Sequence, residues 1–466
     1  MKTTSGSSKS SARQRWEMIR ILTSFWIFGL CNNYAYVIML SAAEDILGQG
    51  HQNTTDVETK CLDKITSRHC TIITTGAVLL ADILPCLLVK LTFPFFMQRI
   101  PFGQVVLDTS FHNMLITITQ LFNRSFFLRC CDVLNSKHLW ILDLKSYISG
   151  VVFASISSGF GEITYLSLTP YFTKNTISTW SSGTGGAGII GSLTYAALTE
   201  PHFLNLSPRI TLLIMLVVPL IFSLAYWCLL VFPDSIHKIS IMKLSTWVVP
   251  KTCLSETSFN DICNIETQNA DKSLTSSEHV KQRILSFKEM LLTTLSLLRF
   301  MIPLMLVYLG EYFINQGILQ LIIYPCDKGW YLTPSSQYRW YQVLYQAGVF
   351  ISRSSVNIIQ LPYWALVLLP ILQFANVVIF FLESLYFYIP HIWVLFLLIL
   401  FEGLFGGSSY VNTFTHIHNF AKPDVREFSM SISSLGDAIG IVTAGFVSIP
   451  FYNHICQTSL PAHMTA

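Results

Sequence analysis

Residues Trp180–Leu193 read WSSGTGGAGIIGSL, and the reading of this stretch decides the fold. Gly183-x-Gly185-x-x-Gly188 has the letter pattern of a dinucleotide-binding turn. That pattern cradles a phosphate only when it follows a buried strand, opens the helix of a βαβ unit and precedes an acidic residue that can reach a ribose. Nothing before Trp180 has the pattern of a soluble strand. Gly183, Ala187 and Gly191 instead recur one helical turn apart, as do Thr184, Gly188 and Ser192. Small residues at that spacing let helix backbones approach closely in lipid. The glycines therefore predict a helix-packing seam, and Gly403 with Gly407, and Gly436 with Gly440 and Ala444, repeat the device.

Composition agrees. Of 466 residues, 52% are hydrophobic, 13% aromatic and only 12% charged, whereas soluble domains carry about 25% charged residues. The net charge of +3 is too small to suggest a nucleic-acid partner. Apolar runs long enough to cross a bilayer begin near Met18, Thr71, Val105, Tyr147, Trp180, Arg209, Leu297, Tyr338, Pro362, Phe387 and Phe428, which gives about eleven spans of roughly twenty residues. The expected fold class is an all-α polytopic membrane protein with two helical bundles, major-facilitator-like in layout. No internal repeat is visible at the level of residues.

The first run has no small-residue cleavage site, so it reads as a retained span. Basic residues precede it (Lys2, Lys9, Arg13, Arg15, Arg20) and a net acidic loop follows it, which predicts a cytoplasmic amino terminus. The expected organisation is a cytoplasmic tail over 1–17, an amino-terminal bundle over 18–232 with a lumenal loop at 43–70, and a polar cytoplasmic linker over 233–290. A carboxyl-terminal bundle over 291–452 and a tail over 453–466 complete it. An odd number of spans places the carboxyl terminus in the lumen.

Charged residues inside spans cost a few kcal/mol each unless paired or wetted. They are Asp82, Lys90, Glu162, Glu311, Arg353, Glu402 and Asp437. At helical spacing Glu162 shares a face with Gly150, Ala154 and Ser158; Tyr308, Glu311 and Asn315 share another; Arg339, Gln342, Gln346 and Arg353 share a third. Polar stripes on several helices imply a common aqueous cavity. Its expected lining is Glu162, Tyr308, Glu311, Asn315, Gln342, Gln346, Arg353, Glu402 and Asp437, and a carboxylate there suits proton coupling. Asp82 and Lys90, near a helix end, read as structural, with Lys90 snorkelling to the surface. Arg353 is the expected receptor for an anionic solute, because its planar fork binds two oxygens at once. The competing reading pairs it with Glu311 or Glu402.

The strings GLCNNYAYVIMLSAAEDIL, AVLLADILP, GVVFASISSGFGEITYLSL, WSSGTGGAGIIGSL, EYFINQG, QYRWYQVLYQAGVFISRSS, FEGLFGGSSYVNTF and REFSM together resemble the battenin family of lysosomal membrane proteins, over most of the chain from Gly29 to Cys456. The resemblance implies a major-facilitator-like fold, a late endosomal and lysosomal location, and a role in clearing glycerophosphodiesters. Lysosomal pH homeostasis and basic amino acid handling are also attributed to the family. The implied partners are a small polar or anionic solute, protons and the lipids of the lysosomal membrane; a sorting adaptor has only Ile284-Leu285 to recognise. No cofactor, catalytic group or metal site is expected.

Two regions depart from the family. Residues 105–149 lack the small residues of a third span, so they are either a divergent helix or an error of the gene model. The family tail ends in a prenylation-like cysteine box, but here CQTS at Cys456–Ser459 is followed by LPAHMTA, so the box cannot be read as it stands. Asn53 heads the most plausible glycosylation sequon, ahead of Asn123 and Asn205. Among 11 cysteines, Cys61 and Cys70 are candidates to pair in the lumen, while Cys253 and Cys263 should stay reduced. Two other functional classes compete with a carrier. One is a non-transporting scaffold or regulator of trafficking and pH; the other is an intramembrane hydrolase using His416, His418 and Glu402, whose histidines at i, i+2 point to different sides of a helix.

Overall fold

Close backbone approach at small residues sets how the helices are arranged. The computed structural model describes residues 4–48, 75–105, 136–199, 217–233 and 285–461, with 61–65, 67, 68, 70, 204, 206, 211, 214 and 236 between them; no strand occurs among these residues. The amino-terminal half comprises α1 (Thr4–Gly48), α2 (Thr75–Thr92), α3 (Ser136–Leu168), α4 (Asn175–Thr199) and α5 (Val217–Leu224), the last running into a π-helical turn, Ala225–Leu229. The other half comprises α6 (Phe287–Phe313), α7 (Pro334–Ser354), α8 (Tyr363–Tyr386), α9 (Ile392–Phe420), α10 (Arg426–Ser433) and α11 (Leu435–Gln457).

The expected seams are where the helices cross. A Cβ built on Gly183 would collide with the backbone carbonyl of Trp26, and one on Gly29 with that of Trp180, so α1 and α4 touch backbone to backbone. Gly191, two turns on, meets Val37 of α1. The Gly185/Gly188 side of α4 faces α7 instead, at Phe350 and Gln346. This glycine run is buried between two helices and follows no strand, so the nucleotide reading is excluded for it. Gly403 and Gly407 seat α7 against α9, and Gly440 seats α11 against α6.

Among the described residues, six segments are long and apolar enough to cross a membrane: Thr75–Phe95, Val151–Tyr171, Phe287–Leu321, Tyr363–Tyr386, Ile392–Phe420 and Pro423–Gln457. Helices α4 and α7, at 25 and 21 residues, have the length but not the hydropathy. They face each other where the two halves meet, as do α2 and α11, so polar side chains there are shielded from lipid by their neighbours.

Several boundaries move. α1 begins at Thr4, inside the expected tail, and α6 begins at Phe287. Its start is fixed by a capping box, in which the Glu289 amide donates to Ser286 Oγ (3.4 Å) and the Ser286 amide to Glu289 Oε2 (2.8 Å). α3 starts at Ser136, before the expected Tyr147; residues 106–135 lie outside the described residues, as do Asn53, Asn123, Asn205, Cys253, Cys263 and most of the linker. The expected Cys61–Cys70 pairing is wrong. Cys61 bonds Cys326 and Cys70 bonds Cys456, because each lies against the opposite half of the bundle, with Cα separations of 5.4 and 6.1 Å.

If the α1–α4 crossing depends on backbone contact, Gly183→Val should destabilise the protein by about 1–3 kcal/mol through overpacking. Ile190→Val, at a position 40% exposed, should stay within about 0.5 kcal/mol of the parent. Thermal unfolding of the two purified variants would check this; equal melting temperatures would show that the crossing is loose.

Candidate functional site

Where the halves meet, the structure leaves a small cavity of about 60 Å³. Both halves contribute to its wall. α1 to α3 supply Asn33, Asp82, Ile83, Cys86, Lys90, Ser155, Ser158 and Glu162; α6, α7, α9 and α11 supply Tyr308, Tyr312, Arg353, Tyr410, Asp437 and Ile441.

Lys90, only 2% exposed, is the centre of the charge arrangement. Its Nζ lies 2.7 Å from Glu162 Oε2 and 3.1 Å from both carboxylate oxygens of Asp437. The expectation that Lys90 snorkels is therefore overturned: two carboxylates from other helices meet it inside, which removes the reason to reach for water. Asp437 is placed by a broken helix. α10 ends at Ser433, the chain turns at Ser434, and α11 restarts so that Asp437 sits in its first turn, its Oδ1 accepting from the Ala438 amide at 2.8 Å. The positive end of the helix dipole favours a carboxylate there.

Arg353, 8% exposed, is met differently. Nη1 donates to Thr184 Oγ1 across the interface (2.6 Å), Nη2 to Tyr308 Oη (2.8 Å), and the guanidinium lies 4.2 Å from the centre of the Tyr410 ring. Among the described residues its Nε has no partner and the ion pairs do not include it. The pairing with Glu311 or Glu402 is thus not made. Asp82 lines the cavity too, at 4% exposure, and likewise belongs to no ion pair among the described residues.

The remaining carboxylates form a second polar cluster, inside the carboxyl-terminal half. Tyr345 Oη donates to Glu311 Oε1, and Asn315 Nδ2 donates to Glu402 Oε1 (2.8 Å) and to the Glu311 carbonyl (3.1 Å). Glu311 Oε2, Glu402 Oε2 and Asn315 Oδ1 are buried with no partner. Gly406, one turn beyond Glu402, leaves room for the Glu311 carboxylate, which a Cβ would strike. Asn315 lies in a π-helical turn, Ile314–Ile318, a distortion common at functional positions.

Of the nine expected lining residues, Glu162, Tyr308, Arg353 and Asp437 line the cavity. Glu311, Asn315 and Glu402 form the neighbouring cluster. Gln346 meets Gly188 at the α4–α7 seam, and Gln342, 3% exposed, does not line the cavity. Tyr312, Tyr410, Cys86 and Asn33 escaped the sequence reading. Tyr410 had one available signal, since it lies two turns from Glu402 on a glycine-marked helix. His416 Nε2 lies 2.8 Å from the Leu361 carbonyl oxygen, and among the described residues no group of His, Cys, Asp and Glu is placed to hold a metal ion.

Comparison with known proteins gives concordant results. The model of the family described as CLN3 protein matches residues 23–458. Battenin of Canis lupus familiaris is 37% identical over 443 residues, covering 93% of this chain and 91% of that protein. Protein btn-1 of Neurospora crassa is 34% identical over 457 residues, covering 94% and 88%. Among solved structures, a bacterial homologue of the iron transporter ferroportin, crystallised in an outward-facing state with soaked iron, superposes with a TM-score of 0.51 at 14% identity, over 94% of this chain and 98% of that one. The shared fold is an all-α, major-facilitator-like one.

Removing one member of a buried ion pair strands the other's charge, at about 3–5 kcal/mol. Lys90→Met should therefore lower the unfolding temperature sharply, and adding Glu162→Gln and Asp437→Asn should restore most of it. A triple variant no more stable than Lys90→Met would show that the triad does not act as a unit.

Proposed function

The chain belongs to the CLN3 protein family, and from that premise we propose that it is a proton-linked carrier that moves a small zwitterionic or anionic solute, of the glycerophosphodiester class, out of lysosomes and late endosomes. The observation that carries this reading is Arg353, a cation at the wall of the interhalf cavity, held by neutral hydroxyls and an aromatic face and, among the described residues, by no carboxylate. A phosphodiester bears one fixed negative charge, and bringing it into such a cavity is costly unless a cation meets it. The guanidinium fork can do so with its free Nε and the neighbouring Nη2 now spent on Tyr308. Lys90 is less suited, since Glu162 and Asp437 already neutralise it.

Asp82 extends the reading. As an unpaired carboxylate on the other half, it offers a place for the ammonium of an amino-bearing head group, with Tyr308, Tyr312 and Tyr410 nearby as cation-binding ring faces. A zwitterion with its two charges apart would then touch both halves. Basic amino acids are the second reading that Asp82 favours, with carboxylate on Arg353 and cation on Asp82. The lysosomal location and the link to lysosomal pH are part of the same proposal, supported by the likeness to battenin. Glu311 and Glu402 are the proton station: each keeps one donor-served oxygen and one orphan oxygen that a proton can satisfy. The cluster adjoins the cavity, because Glu311 lies one turn from Tyr308 on α6 and Tyr345 two turns from Arg353 on α7.

Solute flux into liposomes containing the purified protein tests this. Arg353→Lys keeps the charge and loses the fork, so affinity for every anionic solute should fall about tenfold or more, or about 1.4 kcal/mol. Asp82→Asn should weaken only solutes that also carry a cation. Unchanged kinetics in the Lys variant would remove Arg353 from the site, and absence of flux in the parent both before and after reduction of its disulfides would favour a scaffold.

Glu311→Gln keeps the shape of the carboxyl group and removes its titration. The variant should reach its membrane in normal amounts and transport with a flattened pH profile. A profile identical to that of the parent would assign the coupling proton elsewhere.

A further inference from the structure

Both disulfides join the amino-terminal half to the carboxyl-terminal half, and both do so at the same end of the bundle. Cys61 and Cys70 belong to the segment between α1 and α2; Cys326 lies between α6 and α7, and Cys456 is in the last turn of α11. The ends gathered there are the start of α2, the ends of α6, α8 and α11, and the start of α7. Non-covalent ties reinforce them. Arg68 donates to the carbonyl oxygens of Ser384 (2.5 Å) and Leu385 (3.0 Å) at the end of α8 and of Thr458 (2.9 Å) just past α11, a cation on two helix carboxyl termini. Thr75 Oγ1, at the start of α2, donates to the Gln316 carbonyl (2.7 Å), and the Cys326 amide donates to the Leu62 carbonyl (2.9 Å).

The other end has no such bond among the described residues. There the halves touch through Phe95, stacked edge-on or tilted against Phe428 and Phe287 with centroids 5.9 Å apart, and through Tyr171 Oη donating to Glu427 Oε2 at 2.7 Å. One mouth of the cavity is therefore closed by covalent bonds, the other by contacts that thermal motion can break. Disulfides persist outside the cytosol, so the bridged end is the lumenal one.

We propose that the two bridges are a bolt on the lumenal mouth: while both are intact the cavity opens only to the cytoplasm, and reduction by a small thiol in the lumen frees it to open on both sides. In a carrier whose halves rock about a central site, lumenal opening must separate α2 from α11 or α4 from α7 at that end. The Cys70–Cys456 bridge ties the first pair directly, only five residues before α2 begins. In the exchange, a thiolate attacks one bridge sulfur, giving a mixed disulfide and one cysteine thiolate. A second thiol then resolves the mixed disulfide, so that two thiols are oxidised to their own disulfide for each bridge reduced. The same bond assigns Cys456 a lumenal partner, which a cytosolic lipid-transfer enzyme cannot reach. The bolt's purpose rests on the carrier reading, but its existence does not.

Cys86, a free thiol 7% exposed in the cavity wall, is a native reporter. In vesicles sorted by orientation, its labelling by a membrane-impermeant maleimide, read from its peptide by mass spectrometry, measures access from each side without requiring transport. The unreduced protein should yield the cross-linked peptides Cys61–Cys326 and Cys70–Cys456. Lumenal labelling of Cys86 should rise at least about tenfold after treatment with a small thiol, as a lumen-open population appears, with cytoplasmic labelling unchanged. The paired variants Cys70→Ser with Cys456→Ser, and Cys61→Ser with Cys326→Ser, should each give part of that rise. If these misfold, the thiol-treated parent gives the same reading. Missing cross-links, or lumenal labelling that reduction leaves unchanged, would overturn the bolt; labelling as expected without solute flux would sink the carrier reading alone.

Discussion

A lysine ammonium buried at 2% exposure between two carboxylates holds the architecture to its purpose. Lys90 and Glu162 come from the amino-terminal half and Asp437 from the other, so the triad is an electrostatic joint between the two halves. Such a joint adds little net stability, because desolvating three charges offsets most of their attraction. Its strength lies in what happens when it is broken: a partner withdrawn leaves a charge in a low-dielectric cavity. The halves can separate only where water or a ligand replaces the lost partner, which ties opening of the cavity to its filling.

The small-residue seams make that arrangement possible. In lipid, helices gain little from burying apolar side chains against one another, so close backbone contact has to supply the packing. Gly29 with Gly183, and Gly348 with Gly403, provide it within each half. With those contacts made by glycine, the interior helices α4 and α7 can carry polar side chains toward the middle. The Ser182–Ser354 hydroxyl pair at 2.9 Å and the Thr184–Arg353 bond are such contacts between the halves.

Much of this was legible in the sequence, in a physically uneven way. Spacing along one helix shows which residues share a face, so the seams, the intramembrane charges and the polar stripe that carries Arg353 could be read from Trp180–Leu193 and from single stripes. Which face meets which helix could not. Lys90 looked like a snorkelling side chain because its partners lie on α3 and α11, far away in the chain. Tyr308, Glu311 and Asn315 looked like one lining stripe, yet Tyr308 faces the cavity while Glu311 and Asn315 face α7 and α9. A face spaced by three and four residues rotates along a helix, and the π-helical turn at Ile314–Ile318 shifts the register further. The disulfides were misread for the same reason: nearness in sequence favoured Cys61 with Cys70, whereas the fold brings each to a partner in the other half.

Tyr410 links the two charge systems of the cavity. Its hydroxyl donates to Glu162 Oε1 at 2.9 Å, while its ring lies under Arg353 at 4.2 Å. Glu162 is thus shared between the interhalf lysine and the tyrosine whose ring lies under Arg353. An anion drawn onto Arg353 would weaken the guanidinium's pull on the ring and on Tyr308, and a shift of Tyr410 would take a hydrogen bond from Glu162, leaving Lys90 to hold that carboxylate alone. Because the interior is packed, such a change is passed on through contacts and is not absorbed locally. On the proposed reading, the residues that would recognise a solute and those that hold the halves together are in this way one connected unit, so that binding would bear directly on the joint between the halves.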